Sequence, residues 1–299
     1  MVGKPFVSVR APKLGGIVTT ANRIVVFQSD FGLLEGTVAQ MHGVALSIDP
    51  DLRLVDLSHY IDQFNTWDAS YSLFQTCPVF SRGTVFVSVI DPGVGTSRKS
   101  VVALTAAGHY VVTPDNGTLT HLDKHVGVTA LREIDESVNR RPGSEKSHVF
   151  HGRDVYAYTG ARLASGTIDF AGVGPEAPLE GIVRHPTPDP VVSKSRVEGM
   201  LDIKDPHFGM VWTNIPIETF EEMGIPFDST LRVIVKHRGE VRYNKEVLYG
   251  KSFGSVREGE DIVYNNEIGY FAIGTNLRSF VDLNDIGSGP DWTVSLEKI

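Results

Sequence analysis

Ile24-Val25-Val26-Phe27-Gln28-Ser29-Asp30-Phe31-Gly32 is the stretch whose reading decides the fold. The apolar run Ile24 to Phe27 has the length of a short strand and ends in a polar turn. Beyond that turn Val38, Met41, Val44, Ala45 and Ile48 recur at helical spacing until Asp49-Pro50 stops the helix. The same alternation continues outward. Arg53 to Leu57 predicts a second strand, and Thr66 to Gln75 a helix halted by Pro78. Thr84 to Ile90 is a continuous run rich in β-branched residues, the pattern of a strand buried on both faces. Ser100 to Leu104 and Tyr110 to Thr113 read as strands, and Gly152 to Ala164 as a helix beginning right after His151. Strands alternating with helices predict an α/β domain with a mostly parallel sheet over residues 23–185.

The pattern changes at Pro186, Pro188 and Pro190, which predict a linker over residues 186–191. Downstream, Arg196 to Ile203, Leu231 to Lys236, Ile262 to Tyr264 and Gly269 to Gly274 read as strands. Only Ile217 to Met223 suggests a helix there, so residues 192–299 are expected to form a smaller, mainly antiparallel β domain. Residues 1–22 contain Pro and Gly, are weakly basic, and read as a flexible arm without the apolar core of a signal peptide.

Composition narrows the function. With 299 residues and 41% hydrophobic content the chain can fill two cores. A net charge of −8 argues against a nucleic-acid partner, and no apolar run approaches the roughly 18 residues of a membrane span. Cys77 is the sole cysteine, which rules out an internal disulfide and cysteine metal clusters. A cytoplasmic enzyme is the expectation.

In α/β sheets ligands gather at the carboxyl ends of strands. Asp30, Asp91 and Asp115 all follow predicted strands, although each also suits a turn or helix cap. Asp91-Pro92-Gly93-Val94-Gly95-Thr96-Ser97-Arg98 has the glycines of a close-approach loop but neither a Walker ending nor a dinucleotide fingerprint. It equally fits a solvated hairpin with a surface Arg. His151, within Phe150-His151-Gly152-Arg153-Asp154, meets the positive end of a helix dipole, which favours a neutral ring. A packed structural histidine fits the same place. In the second domain Asp205, Phe208, Trp212 and Phe253 interleave aromatic and polar groups, able to sandwich a purine or to build a β core.

Taken together, Ser29-Asp30-Phe31-Gly32, Asp91 to Arg98, Pro114-Asp115-Asn116-Gly117, Phe150 to Asp154, and Phe208-Gly209 with Trp212-Thr213-Asn214-Ile215 resemble the S-adenosylmethionine hydroxide adenosyltransferase family, related to fluorinase and chlorinase. The resemblance covers about residues 23–280. It implies hydrolysis of S-adenosylmethionine to adenosine and methionine, with Asp91, Arg98 and His151 around the reacting water. It further implies that Asp30 binds the ribose hydroxyls and that Phe64 flanks the sugar. Phe208, Trp212 and Phe253 fall at adenine-side positions, and Asp205 near the methionine end. A homotrimer with sites between subunits is implied as well, with no metal or cofactor.

Two departures from the family pattern stand out. Met210 replaces the usual Asn after Phe-Gly, and Asn266-Glu267-Ile268-Gly269 replaces a Ser-containing turn. Three rival readings stay open. They are a halide-using adenosyl transferase on this fold, a metal-dependent phosphoesterase using Asp30, Asp91, Asn116 and His151, and a non-catalytic adenosine-binding module.

Overall fold

A computed structural model describes residues 22–299, so the arm expected over residues 1–22 lies, apart from Asn22, outside the described residues. The chain runs through β1 (Ile24–Ser29), α1 (Thr37–Ile48), β2 (Arg53–Ser58), α2 (Thr66–Thr76), β3 (Val85–Val89), β4 (Ser100–Thr105) and β5 (Tyr110–Pro114). It continues through α3 (Thr120–His125), β6 (Val128–Glu133) and α4 (Glu136–Asn139). A π-helical turn over Gly152–Ala157 then runs into α5 (Tyr158–Ser165), and β7 (Glu176–Ala177) closes this part.

The seven strands form one sheet in the order β2-β1-β3-β5-β4-β6-β7. The sheet is mixed, which corrects the expectation of a mostly parallel one. β2, β1, β3 and β5 run parallel, whereas β5–β4, β4–β6 and β6–β7 are antiparallel. The reason is the connection between β4 and β5. Only residues 106–109 join them, with Gly108 at φ 83°, and so short a loop makes a hairpin, not a helical crossover. The parallel half keeps the ends of β1 and β3 on one edge, since Ser29 pairs with Val89.

The periodic residues of α1 pack as their spacing requires: Val38, Met41 and Ala45 join Val25 and Phe27 in the main core. Asn65 caps α2 by accepting the Asp68 N–H at 3.0 Å. α5 lies close on β3 because Gly160 faces it; a Cβ there would sit 2.5 Å from Val87 Cγ2. Cys77 is fully buried in a second core beneath the sheet.

The remaining strands are β8 (Val191–Val192), β9 (Arg196–Asp205), β10 (Met210–Pro216), β11 (Thr230–His237), β12 (Glu240–Tyr249), β13 (Asp261–Asn265), β14 (Tyr270–Thr275) and β15 (Trp292–Lys298). Short helices α6 (Glu218–Met223) and α7 (Phe280–Asn284) accompany them. The sheet order is β10-β14-β13-β12-β11-β15-β9-β8, and β10 also pairs with β9, curling the sheet into a barrel-like closure. All pairings are antiparallel except β12–β13, in agreement with the mainly antiparallel expectation.

The two parts meet in a buried polar seam. Trp67 Nε1 donates to the Asp202 carbonyl at 2.6 Å, and His121 Nε2 lies 3.3 Å from Asp202 Oδ1. No helix among the described residues is long and apolar enough to cross a membrane.

Candidate active site

The chain leaves β3 through Ile90 into the turn Asp91–Arg98. Gly95, at φ 77°, takes the left-handed conformation this tight turn needs. Arg98 comes back onto Asp91 and grips it as a fork. Its Nε donates to Oδ1 at 2.9 Å and to Oδ2 at 3.1 Å, and Nη2 donates to Oδ2 at 2.6 Å. Both side chains are largely buried, so this charge-assisted pair is weakly screened. Arg98 Nη1 donates to Ser100 Oγ at 2.8 Å, and that hydroxyl lies 3.1 Å from the Tyr156 hydroxyl. Tyr156 in turn donates to Asp91 Oδ2 at 3.3 Å. Burial pushes its phenol well above the ordinary range, with the Asp91 charge adding to the effect, so it remains a donor. Burial is the largest single influence and opposes the Arg98 charge, but the hydrogen bonds to Asp91, together with the charge interactions with Tyr156, Asp91 and Glu136, raise it overall.

His151 stands at the start of the helix that its position predicts. Nδ1 lies 2.7 Å from Arg98 Nη2 and Nε2 lies 3.1 Å from Arg140 Nη2. Arg140 is itself held by Glu136, through Nε to Oε2 at 3.0 Å. A guanidinium only donates, and a neutral imidazole has a single accepting nitrogen. The shorter contact makes Nδ1 the acceptor and leaves the ring proton on Nε2, facing Arg140. Burial is the main cause lowering His151 below its usual pKa; Arg98 and Arg140 add to it, while Glu136 and Asp91 oppose. A proton arriving at Nδ1 would displace Arg98. The ring therefore steers Arg98 better than it would serve as a base.

The π-helical turn explains why His151 and Tyr156 both reach the same ion pair. Residues five apart point about 140° away from each other on an α-helix. The wider i→i+5 turn brings them to one side, with ring centroids 6.5 Å apart.

A cavity of about 300 Å³ opens beside this cluster, lined by Asp30, Phe31, Gln63, Phe64, Asp91 and His151 among others. Asp30 Oδ2 accepts the Phe64 backbone N–H at 3.0 Å. Phe64 has φ 66°, strained for a residue with a bulky side chain, and its ring is 64% exposed. Of the predicted residues, the structure thus gathers Asp30, Phe64, Asp91, Arg98 and His151.

The others lie elsewhere in the same chain. Asp205 and Trp212 line a separate groove of about 290 Å³ with Asp62 and Lys204. Asp205 Oδ1 accepts the N–H groups of His207 and Phe208, as a turn former does. Trp212 is buried edge-on against Tyr71, and Phe253 packs on Tyr264 with centroids 4.9 Å apart. Phe208 is 69% exposed. Met210 Sδ accepts the Tyr264 hydroxyl, and Asn266 Oδ1 accepts the N–H groups of Ile268 and Tyr270. The four-ligand set of a metal phosphoesterase does not assemble: Arg98 occupies Asp91, and Asn116 bonds the Ile90 carbonyl and the Thr118 hydroxyl. Asp115 braces the Val183 N–H at 2.9 Å, the bland role open to it. The sequence reading missed Ser100, Gln63, Glu136, Arg140 and Tyr156. Only the paired Arg140-Arg141 ahead of Pro142-Gly143 offered a signal.

Residues 25–174 match the SAM hydroxide adenosyltransferase N-terminal domain, and residues 199–293 match its C-terminal domain. The chain belongs to the SAM hydroxide adenosyltransferase family. Within this family it is 32% identical to an (R)-S-adenosyl-L-methionine hydrolase of Methanocaldococcus jannaschii, over 82% of this chain and 85% of that one. It is 31% identical to a protein of the same name from Salinispora tropica, over 89% and 95%. It is also similar to a fluorinase of Actinoplanes sp., at 27% identity over 92% and 98%. Among solved structures, an uncharacterized conserved protein from Thermotoga maritima superposes with a TM-score of 0.83 at 32% identity, covering 92% of this chain and 100% of that one.

Proposed function

We propose that this chain hydrolyses S-adenosyl-L-methionine to adenosine and L-methionine in the cavity bounded by Asp30, Phe64, Asp91 and His151, acting on the (R)-sulfonium epimer for which its relatives are named. The observation that carries the reading is the donor arrangement of Arg98. An Arg has five N–H donors. Asp91, Ser100 and His151 engage four of them, and the second N–H of Nη1 has no partner among the described residues. A remaining Arg98 donor is complementary to a water molecule, and Asp91, the carboxylate that Arg98 grips, lines the cavity.

The reaction then balances simply. The water oxygen bonds to C5′ as the C5′–S bond breaks, and sulfur keeps the electron pair to leave as a neutral thioether. The water proton passes to Asp91 and on to solvent. No general acid is needed because the leaving group departs uncharged. Arg98 and Asp91 orient the water, and holding it in line with the bond contributes roughly 7–11 kcal/mol. His151 fixes Arg98, Asp30 holds the ribose, and Phe64 walls the sugar. Charge is partly cancelled along the path when the attacking water gives up its proton, which a dry pocket favours.

A homotrimer with sites between subunits fits the same geometry. A half-open cavity of about 300 Å³ is at the small end for a ligand of this size, and Asp205, Phe208, Trp212 and Phe253 lie outside it. A neighbour's β domain would supply the missing wall. The test is incubation of purified protein with each sulfonium epimer in heavy-oxygen water, with and without chloride. Solvent oxygen in the 5′-hydroxyl of adenosine, with methionine as co-product, is expected. A 5′-chlorinated nucleoside, or no turnover of either epimer, overturns the assignment.

A further inference from the structure

We propose that His42, Asp56 and His59 form a binding site for a divalent transition-metal ion, distinct from the cavity above, that clips α1 and β2 to the turn carrying Asp30. His42 projects from α1, Asp56 from β2, and His59 follows β2 directly. Nε2 of His42 lies 2.8 Å from Asp56 Oδ1, and Nε2 of His59 lies 3.0 Å from the same oxygen. The three donor atoms all fall within 4.8 Å of one another, the one such group among the described residues. Around a tetrahedral ion with bonds of roughly 2.0–2.1 Å, neighbouring donors stand about 3.3 Å apart. Seating an ion therefore asks each imidazole nitrogen to draw back from Asp56 Oδ1 by only a few tenths of an ångström.

The surroundings are those of a ligand set. The other nitrogen of His59, Nδ1, lies 2.7 Å from Ser29 Oγ, a hydroxyl that holds the ring in place and is able to accept the Nδ1 proton when Nε2 binds an ion. The His42 ring packs against Phe27 with centroids 5.0 Å apart. His59 is buried whereas Asp56 is open to solvent, so an ion has an entry path and room for a water as fourth ligand. Two imidazoles and one carboxylate favour zinc or cobalt over calcium or magnesium. The link to the turn is direct: Ser29 precedes Asp30, and the His59 carbonyl accepts the Gly32 N–H at 2.7 Å.

The competing account is a satisfied hydrogen-bond set in which both rings donate to one carboxylate oxygen. Cobalt titration of chelator-treated protein separates the two. Site occupancy should give the visible absorption of four-coordinate cobalt, saturating at one ion per chain, and zinc should displace it. His42→Ala, and the milder His42→Gln, should each weaken cobalt affinity at least tenfold while circular dichroism stays unchanged. Absence of the absorption in the unmodified protein, or equal affinity in both variants, overturns the proposal.

Discussion

Arg140 Nη2 lies 3.1 Å from Nε2 of His151, on the edge of the ring opposite Arg98. A second guanidinium there opposes protonation of the imidazole, working with burial and against Glu136. The sign follows. The native ring stays neutral to lower pH than a free imidazole, so activity that needs the neutral ring should persist below about pH 6.5 before it falls. Replacing Arg140 by Met removes one of the lowering charges and leaves Glu136. The acid limb of kcat/KM against pH should then move upward, with a turnover loss of a few-fold at neutral pH. An unmoved limb would deny Arg140 this role.

Asp91, Arg98 and His151 should fail as one unit. Arg98→Ala and His151→Ala are each expected to lower turnover at least about tenfold, some 1.4 kcal/mol of transition-state stabilisation, with the fold intact. Asp91→Asn should be impaired too, and the double variants should lose less than the product of the single losses. Steady-state kinetics beside thermal melts check this; full activity in both alanine variants would remove the site.

Phe64 offers a test that splits backbone from ring. Its left-handed φ costs roughly 1 kcal/mol that a glycine avoids. Phe64→Gly should therefore be more stable than Phe64→Ala by about that much, while both raise KM because the wall of the sugar pocket is gone. Urea melts and saturation curves measure the two effects separately.

Assembly can be tested by complementation. A chain carrying Asp30→Ala and one carrying Trp212→Ala should each be weak alone. Mixed under conditions of verified subunit exchange, they should regain part of the activity, since some sites then combine two intact halves. A fully active monomer by sedimentation contradicts the shared site.

What the sequence disclosed followed from where its signals lie. Asp30 and Asp91 were legible because polar turns after apolar runs mark strand exits, and His151 because a helix starts beside it. The mixed sheet was hidden in the short β4–β5 connection, whose antiparallel consequence is carried by loop length, not by the strands. β12 escaped notice because it lies mostly exposed, without a clear apolar face. Ser100 looks like any strand residue, while Glu136 opens a four-residue helix and Arg140 directly follows its end. The aromatic residues of the β domain were legible as aromatic, but their packing on Tyr71 and Tyr264 depends on which strands adjoin.

The π-helical turn over Gly152–Ala157 has a bearing on engineering. Removing one residue from it would let the segment rewind as an ordinary α-helix without touching any side chain at the site. His151 and Tyr156 would then stand four residues apart, about 40° on an α-helix, and would keep facing the same side. The turn thus stores one extra residue in the helix without disturbing the site, so a one-residue deletion there should be tolerated. Rewinding the segment at full length, by contrast, would point one of the two rings about 140° away from the other.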